Sequence, residues 1–285
     1  MFATIAILGT GLLGASLMQT VRKNGLARRV VAWSRRAETR ARCAGQPWCD
    51  AVFDDPADCV RDAELVVVCA PVDKIGETLA SAAAGISEGA LVTDVGSTKA
   101  GVCRASAVAL AGVGAAARFV GAHPLAGSEK SGPEHATAEL FEGRVCFVTP
   151  VAETAAEAQA AVCRFWEAAG MRVSVCSPEE HDRLVARVSH LPHLAAAALS
   201  AALGRDPQAE VFAGVAGPGL RDTTRVSGGD PALWRAIAQE NRAEIAQALA
   251  AFEAELGVFK RALETGDFDL LESELRRARE WREKL

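Results

Sequence analysis

His123 stands in the run Gly121-Ala122-His123-Pro124-Leu125-Ala126-Gly127-Ser128-Glu129-Lys130-Ser131-Gly132, which gathers an imidazole, a carboxylate, an amine and two hydroxyls between Gly and Pro punctuation. An imidazole can both take and give a proton near neutral pH. The run follows the strand-like Arg118-Phe119-Val120, and apolar periodicity stops there, so packing does not account for these residues. It reads as a loop at a strand end, a setting that often carries chemistry. A polar surface turn with a capping Ser or Glu is the competing reading.

Two more constellations lie downstream. In Val188-Ser189-His190-Leu191-Pro192-His193-Leu194, two histidines three residues apart share one face of an otherwise apolar helix. A metal pair needs further ligands, and no third ligand type clusters nearby; Pro192 should bend the helix. Buried, hydrogen-bonded imidazoles are the plainer reading. Gly217-Pro218-Gly219-Leu220-Arg221-Asp222-Thr223-Thr224-Arg225 then breaks helix and offers two guanidiniums suited to a carboxylate. Asp230-Pro231-Ala232-Leu233-Trp234 restarts a helix, with Asp230 as N-cap and Pro231 at the first position.

The elements that must position these groups begin with an apolar run over residues 3 to 8, ending in Gly9-Thr10-Gly11-Leu12-Leu13-Gly14 and followed by a helix-like stretch. This is G-x-G-x-x-G between strand and helix. Gly9 permits the tight turn, Gly11 lets backbone N–H groups approach a pyrophosphate, and Gly14 lets helix and strand pack closely; Leu12 and Leu13 open the helix whose positive end holds the anion. The next strand, Val30 to Trp33, ends in Ser34-Arg35-Arg36, where an NAD enzyme usually carries an acidic residue for the ribose. A hydroxyl and two guanidiniums suit a 2′-phosphate instead, so NADP is expected, with NAD the alternative; solvated charges opening a helix are the bland reading of Arg35 and Arg36.

Continuous apolar runs at residues 64–71 and 90–95 have the character of parallel strands covered on both faces. Alternation with Ala-rich helical stretches predicts a doubly wound α/β domain of Rossmann type. Ala70-Pro71 and Gly96-Ser97-Thr98-Lys99 lie at carboxyl ends of strands, where ligands of such sheets bind; Ser97 and Lys99 could equally cap a helix. Strands resume at residues 144–149 and 172–176 around a helix near 155–169. After Ser177-Pro178-Glu179-Glu180, a helix start, only helical patterns remain. The expected division is a dinucleotide-binding domain over residues 1–178 and an all-α domain over residues 179–285.

With 285 residues, half of them hydrophobic, two moderate domains are expected. A net charge of -5 carries no basic footprint and argues against a nucleic-acid partner. Eight cysteines without C-x-x-C spacing, several in apolar strand-like runs, read as buried thiols of a reducing compartment. The N-terminus lacks the basic region of a signal peptide, and no apolar run is long enough to span a bilayer. A cytoplasmic protein acting on a small molecule is expected. The long Ala-rich helices suggest a face buried against a second subunit, hence a homodimer.

Together these segments resemble the prephenate/arogenate dehydrogenase family, which oxidatively decarboxylates a cyclohexadienyl acid on the route to tyrosine. The resemblance rests on Gly9 to Gly14, Asp94-Val95-Gly96-Ser97-Thr98-Lys99, His123-Pro124-Leu125-Ala126-Gly127-Ser128-Glu129, His190-Leu191-Pro192-His193, and Arg221-Asp222-Thr223-Thr224-Arg225 running to Trp234. Five motifs in order across nearly the whole chain are specific where any one is weak. The resemblance implies a Rossmann domain followed by a helical dimerisation domain. It implies His123 as catalytic base at the ring C4 hydroxyl, Ser97 as its assistant there, and Arg225 as the ligand of the ring carboxylate. It implies His193 near the side-chain carboxylate with His190 in support. Ser128 and Glu129 fall in a polar network at the pocket mouth, and Trp234 lines the pocket, across the dimer interface in one arrangement. Thr223-Thr224 departs from the aromatic-threonine pair that relatives often carry, which leaves Arg221 without an assigned role.

Two other readings compete. Another NADP-dependent dehydrogenase, of a β-hydroxyacid or an imine, would commonly use a lysine in the helical half, and residues 179 to 257 contain none. A non-catalytic NADP-sensing protein would need the glycine turn but not His123, Ser97 or Arg225.

Overall fold

The computed structural model describes residues 1–127 and 132–285 of the chain. Eight strands form one sheet: β1 (Phe2–Leu8), β2 (Ala27–Trp33), β3 (Ala51–Phe53), β4 (Leu65–Val68), β5 (Leu91–Asp94), β6 (Phe119–Pro124), β7 (Val145–Thr149) and β8 (Arg172–Val175). Their spatial order is β3-β2-β1-β4-β5-β6-β7-β8. From β3 through β6 every pairing is parallel, β7 runs antiparallel to β6, and β8 is parallel to β7. The order reverses between β1 and β4, and such a reversal opens a crevice at the carboxyl ends of the strands.

Apolar residues on alternate sides of the strands build two cores. Ile5 and Ile7 pack with Leu17, Met18, Phe165 and Trp166 on one face. Ala6, Leu8, Val66 and Val68 pack with Ile75, Leu79 and Leu110 on the other, and this second core also takes in Ala236 and Ile237 from the helix Pro231–Glu240. The helical half is thereby seated on the sheet. From Pro178 to the C-terminus the described structure is helical. Ser177 caps the helix Pro178–Val185 through its hydroxyl, which accepts the Glu180 N–H at 3.1 Å. The predicted bend at Pro192 takes a specific form: Ala186–His190 is a π-helical turn that leads straight into the helix Leu191–Gly204. A wider turn absorbs a proline that can neither donate an N–H nor tolerate the preceding carbonyl. Among the described residues no helix is long and apolar enough to cross a membrane, and all eight cysteines are free thiols.

One expectation needs correction. His123 does not lie in a loop: β6 extends to Pro124, and His123 is paired with Phe147 across the antiparallel ladder. Gly121, which looks like loop punctuation, is a strand residue at a close approach. A Cβ there would lie 2.6 Å from Thr149 Oγ1 and 2.9 Å from Cys103 Sγ. Pro124 stands at the last position of the strand, where a missing N–H costs little.

Candidate active site

The carboxyl ends of β1, β2 and β4 form a cradle. Gly9 has φ +111°, and a side chain there would strike the carbonyl oxygen of Cys69; one at Gly14 would strike the carbonyl oxygen of Gly9. Nothing lies within 4 Å of the position a Cβ would take at Gly11, so this side of the turn is open. Gly11 caps the helix Leu12–Lys23 with extended backbone and no side-chain bond, leaving first-turn N–H groups to a ligand. A pyrophosphate fits that positive helix end, with Ala70 and Pro71 following β4 beside it. Beyond β2, the turn Ser34-Arg35-Arg36 is tied down by a residue the sequence did not single out. Arg40 Nη1 donates to the Ser34 carbonyl at 2.7 Å and the Arg35 carbonyl at 3.1 Å, while its Nε donates to Asp54 Oδ1 at 2.9 Å. Arg35 and Arg36 themselves are exposed.

His123 is buried at the end of β6, and the backbone just before it is gripped by an ion pair. Asp94, the last residue of β5, accepts the Ala122 N–H at 3.0 Å, and Lys99 Nζ donates to the Ala122 carbonyl at 2.8 Å. Asp94 also accepts the Gly96 N–H at 2.7 Å and pairs with Lys99. The β5–β6 ladder ends at Thr93 and Val120, so the ion pair satisfies backbone groups that the sheet has released. Ser97 stands half-buried in the same turn, between Gly96 and the fully buried Thr98 and Lys99.

The side chain of His123 meets groups that the sequence did not reveal. Its Nδ1 is 2.9 Å from His181 Nε2, and His181 Nδ1 is 2.8 Å from Asp182 Oδ1. Both come from the first turns of the helix Pro178–Val185. Asp182 accepts the backbone N–H groups of Lys99 at 2.7 Å and Ala100 at 2.9 Å, at the start of the helix Ala100–Leu110. Phe147 presses edge-on against His181, with ring centroids 5.3 Å apart. Asn241 closes the far side, donating to the Asp182 carbonyl at 2.8 Å and lying 3.3 Å from His190 Nδ1.

His193 and Trp234 are stacked, with centroids 3.5 Å apart and planes within 10°, and His190 meets the edge of the same indole. This stack joins side chains of one chain, so Trp234 reaches the His193 neighbourhood without crossing to a partner. Gly229 lies over it, and a Cβ there would sit 2.6 Å from Trp234 Nε1 and 3.1 Å from His193 Cε1. Arg225 is exposed on the short 3-10 turn Arg225–Gly228, which is anchored on the helix Leu191–Gly204 by Ser227 and Ser200, 2.9 Å apart. Arg221 donates to the Ala216 carbonyl at 3.3 Å. Ser128 and Glu129 lie outside the described residues.

Burial dominates the electrostatics. It holds the His123 imidazolium well out of favour, reinforced by repulsion from His181, Lys99 and His190. Burial also lowers His181, against the pull of Asp182, and brings His190 down to about 4. His193 is lowered by burial against a backbone hydrogen bond with Val226. Burial alone would raise Asp182; the hydrogen bonds from His181, Ala100 and Lys99 outweigh it and hold the carboxyl below its usual range. A neutral base beside an ionised carboxylate is the chemical character of the site.

The family profile described as prephenate dehydrogenase, nucleotide-binding domain, matches residues 17–175, and that described as prephenate dehydrogenase, dimerization domain, matches residues 177–277. The chain is 34% identical to a cyclohexadienyl dehydrogenase of Zymomonas mobilis over 95% of its own length and 92% of that protein. The crystal structure of prephenate dehydrogenase from A. aeolicus in complex with hydroxyphenyl propionate and NAD+ superposes with a TM-score of 0.91 at 30% identity, covering 99% of this chain and 98% of that one. Synechocystis arogenate dehydrogenase superposes at 0.84 and 28% identity, covering 99% of both chains. With both halves matched in order and one relative aligned almost end to end, this chain belongs to the prephenate dehydrogenase family.

Proposed function

We propose that the protein oxidatively decarboxylates prephenate, arogenate or both, passing hydride to NADP, in the formation of tyrosine. The observation that carries the reading is the buried, uncharged His123, set where the carboxyl ends of the sheet meet the helical half. Gly9, Gly11 and Gly14 would hold the pyrophosphate of the dinucleotide, which would supply the acceptor for the hydride of the substrate's carbinol carbon. His123 accepts the proton of the C4 hydroxyl, so that an O–H bond breaks and an N–H bond forms as the carbonyl develops. Ser97 orients that hydroxyl. Arg225 binds the ring carboxylate, which departs as carbon dioxide; the electron pair left behind makes the ring aromatic. The ring oxygen becomes a phenol by regaining a proton, which restores His123 to its starting state. His193, supported by His190 and walled by Trp234, serves the side-chain carboxylate, with Ser128 and Glu129 at the pocket mouth.

Preference for NADP is supported by Ser34, Arg35 and Arg36 and by the Arg40 contacts that fix their turn. NAD is the second reading, favoured by the NAD+ bound to the A. aeolicus relative. A nucleotide half over residues 1–178 and a helical half over residues 179–285 are assigned the two tasks of holding cofactor and pairing subunits. Homodimer formation is supported by the helix Phe268–Arg282, which has no buried residue. Apolar Leu256, Leu263, Phe268 and Trp281, each more than half exposed, add to that support. The eight unpaired thiols suit the cytoplasm. A steady-state assay crossing both substrates with both cofactors tests the proposal. Turnover of neither substrate despite cofactor binding would leave a sensor, and a much higher kcat/KM with NAD would overturn the NADP assignment.

A further inference from the structure

We infer that His181, held by Asp182, keeps the proton of the resting His123 on Nδ1 and thereby leaves Nε2 as the bare nitrogen that takes the substrate's proton. The inference rests on His123 being the base. Asp182 receives two backbone N–H groups, from Lys99 and Ala100, at the positive end of the helix Ala100–Leu110. A carboxylate so placed is ionised and can only accept. The nitrogen facing it at 2.8 Å, His181 Nδ1, must therefore donate. A neutral imidazole carries one N–H, so His181 Nε2 holds a lone pair. The atom it faces at 2.9 Å is His123 Nδ1, which must carry the hydrogen. In a neutral His123, Nε2 is then unprotonated. The opposite tautomer would set two lone pairs against each other within a fully buried contact.

The surroundings hold the chain of contacts in this one arrangement. His181 is fully buried and wedged by the edge of Phe147. The main chain at Asp182 is fixed by Asn241, and that at Ala122 by Asp94 and Lys99. The charges also compose usefully. Lys99 and Asp94 cancel as an ion pair, which among the described residues leaves Asp182 as the one carboxylate of this cluster without a Lys or Arg partner. When His123 accepts the substrate's proton, its positive charge is met by that carboxylate through His181. His181 and Asp182 act through His123 and are positioning residues. They stand in the segment matched as the dimerization domain, whereas His123 stands in the nucleotide-binding one.

The test labels the histidines of the full-length enzyme with 15N and reads their tautomers by long-range proton–nitrogen correlation, the His123 signals being those lost in His123→Asn. Wild type is expected to show His123 with Nδ1–H. His181→Phe keeps the ring volume but cannot accept; it should scatter the His123 tautomer and cut kcat by about ten- to a hundredfold with KM for substrate nearly unchanged. His181→Gln offers a carboxamide oxygen in place of Nε2 and should recover the Nδ1–H signal and most of the turnover lost in His181→Phe. A wild type with Nε2–H, or a His181→Phe enzyme with full kcat, overturns the inference. If His181→Phe fails to fold, the wild-type tautomer and His181→Gln still decide it. Failure of the underlying reading is distinguishable: His123→Asn would then turn over normally, whichever tautomer the wild type shows.

Discussion

Acidifying the protein from about pH 7 to about pH 5 should lower its stability, and His190 sets the scale of the loss. This side chain is almost completely buried. Burial brings its pKa from 6.5 to about 4, with Asp182 opposing and His181 and His193 reinforcing. Unfolding restores the ordinary value, so between about 4 and 6.5 the unfolded state binds more protons than the folded one. Stability therefore rises with pH through that window, is complete above it, and stops falling below about pH 4. Those two values put the loss at about pH 5 near 2 kcal/mol for His190 alone. His123, His181 and His193 are shifted in the same direction and deepen the loss. Urea unfolding at the two pH values, wild type against His190→Gln at one fixed protein concentration, isolates the share of this residue. The variant keeps an amide for Asn241 but has nothing to titrate, so its acid-induced drop should be smaller by about 2 kcal/mol. An equal drop in both proteins, or a wild type that gains stability on acidification, would refute the reasoning.

Three further outcomes follow from the site. His123→Asn should cut kcat by about 10²- to 10⁴-fold and barely move KM, whereas Arg225→Gln should chiefly raise KM; steady-state kinetics showing the reverse would exchange their roles. Lys99→Met strands the fully buried Asp94 carboxylate and should cost about 3–5 kcal/mol, read by chemical unfolding; a change under about 1 kcal/mol would mean that the ion pair does not hold this part of the fold together. Gly14→Ala drives a methyl into the Gly9 carbonyl and should weaken cofactor binding measured by quenching of protein fluorescence. Unaltered affinity would place the pyrophosphate elsewhere.

The sheet was legible because its strands are continuous apolar runs and its first turn is spelled in glycines with strict steric reasons. β3 was not, since three residues, Ala51–Phe53, are too few to show a period. The extension of β6 was concealed by Gly121 and Pro124, which read as breakers when seen without β7. The site was legible where chemistry forces unusual residues into an apolar setting, as at His123, His190 and His193. His181 and Asp182 escaped for the opposite reason. They follow Glu179 and Glu180 in the first turns of a helix, where acidic and polar residues are expected for the helix alone. Only the packing of that helix against the start of Ala100–Leu110 shows that the pair faces inward.

The π-helical turn at Ala186–His190 works as a phase shifter. An ordinary helix advances about 100° per residue, which would set His181 and His190, nine positions apart, on opposite sides of the rod. The wider turn winds back by roughly one residue's worth, bringing both toward the side where Asn241 touches the Asp182 carbonyl and His190 together. Rewinding 186–190 as an ordinary α-helical turn without removing a residue would let the rod continue as a regular helix with its hydrogen bonds intact. It would also rotate His193 away from His181, and off the indole of Trp234 on the helix Pro231–Glu240, by about 100°. The geometry of the site thus depends on an irregularity that the backbone could lose and still remain helical.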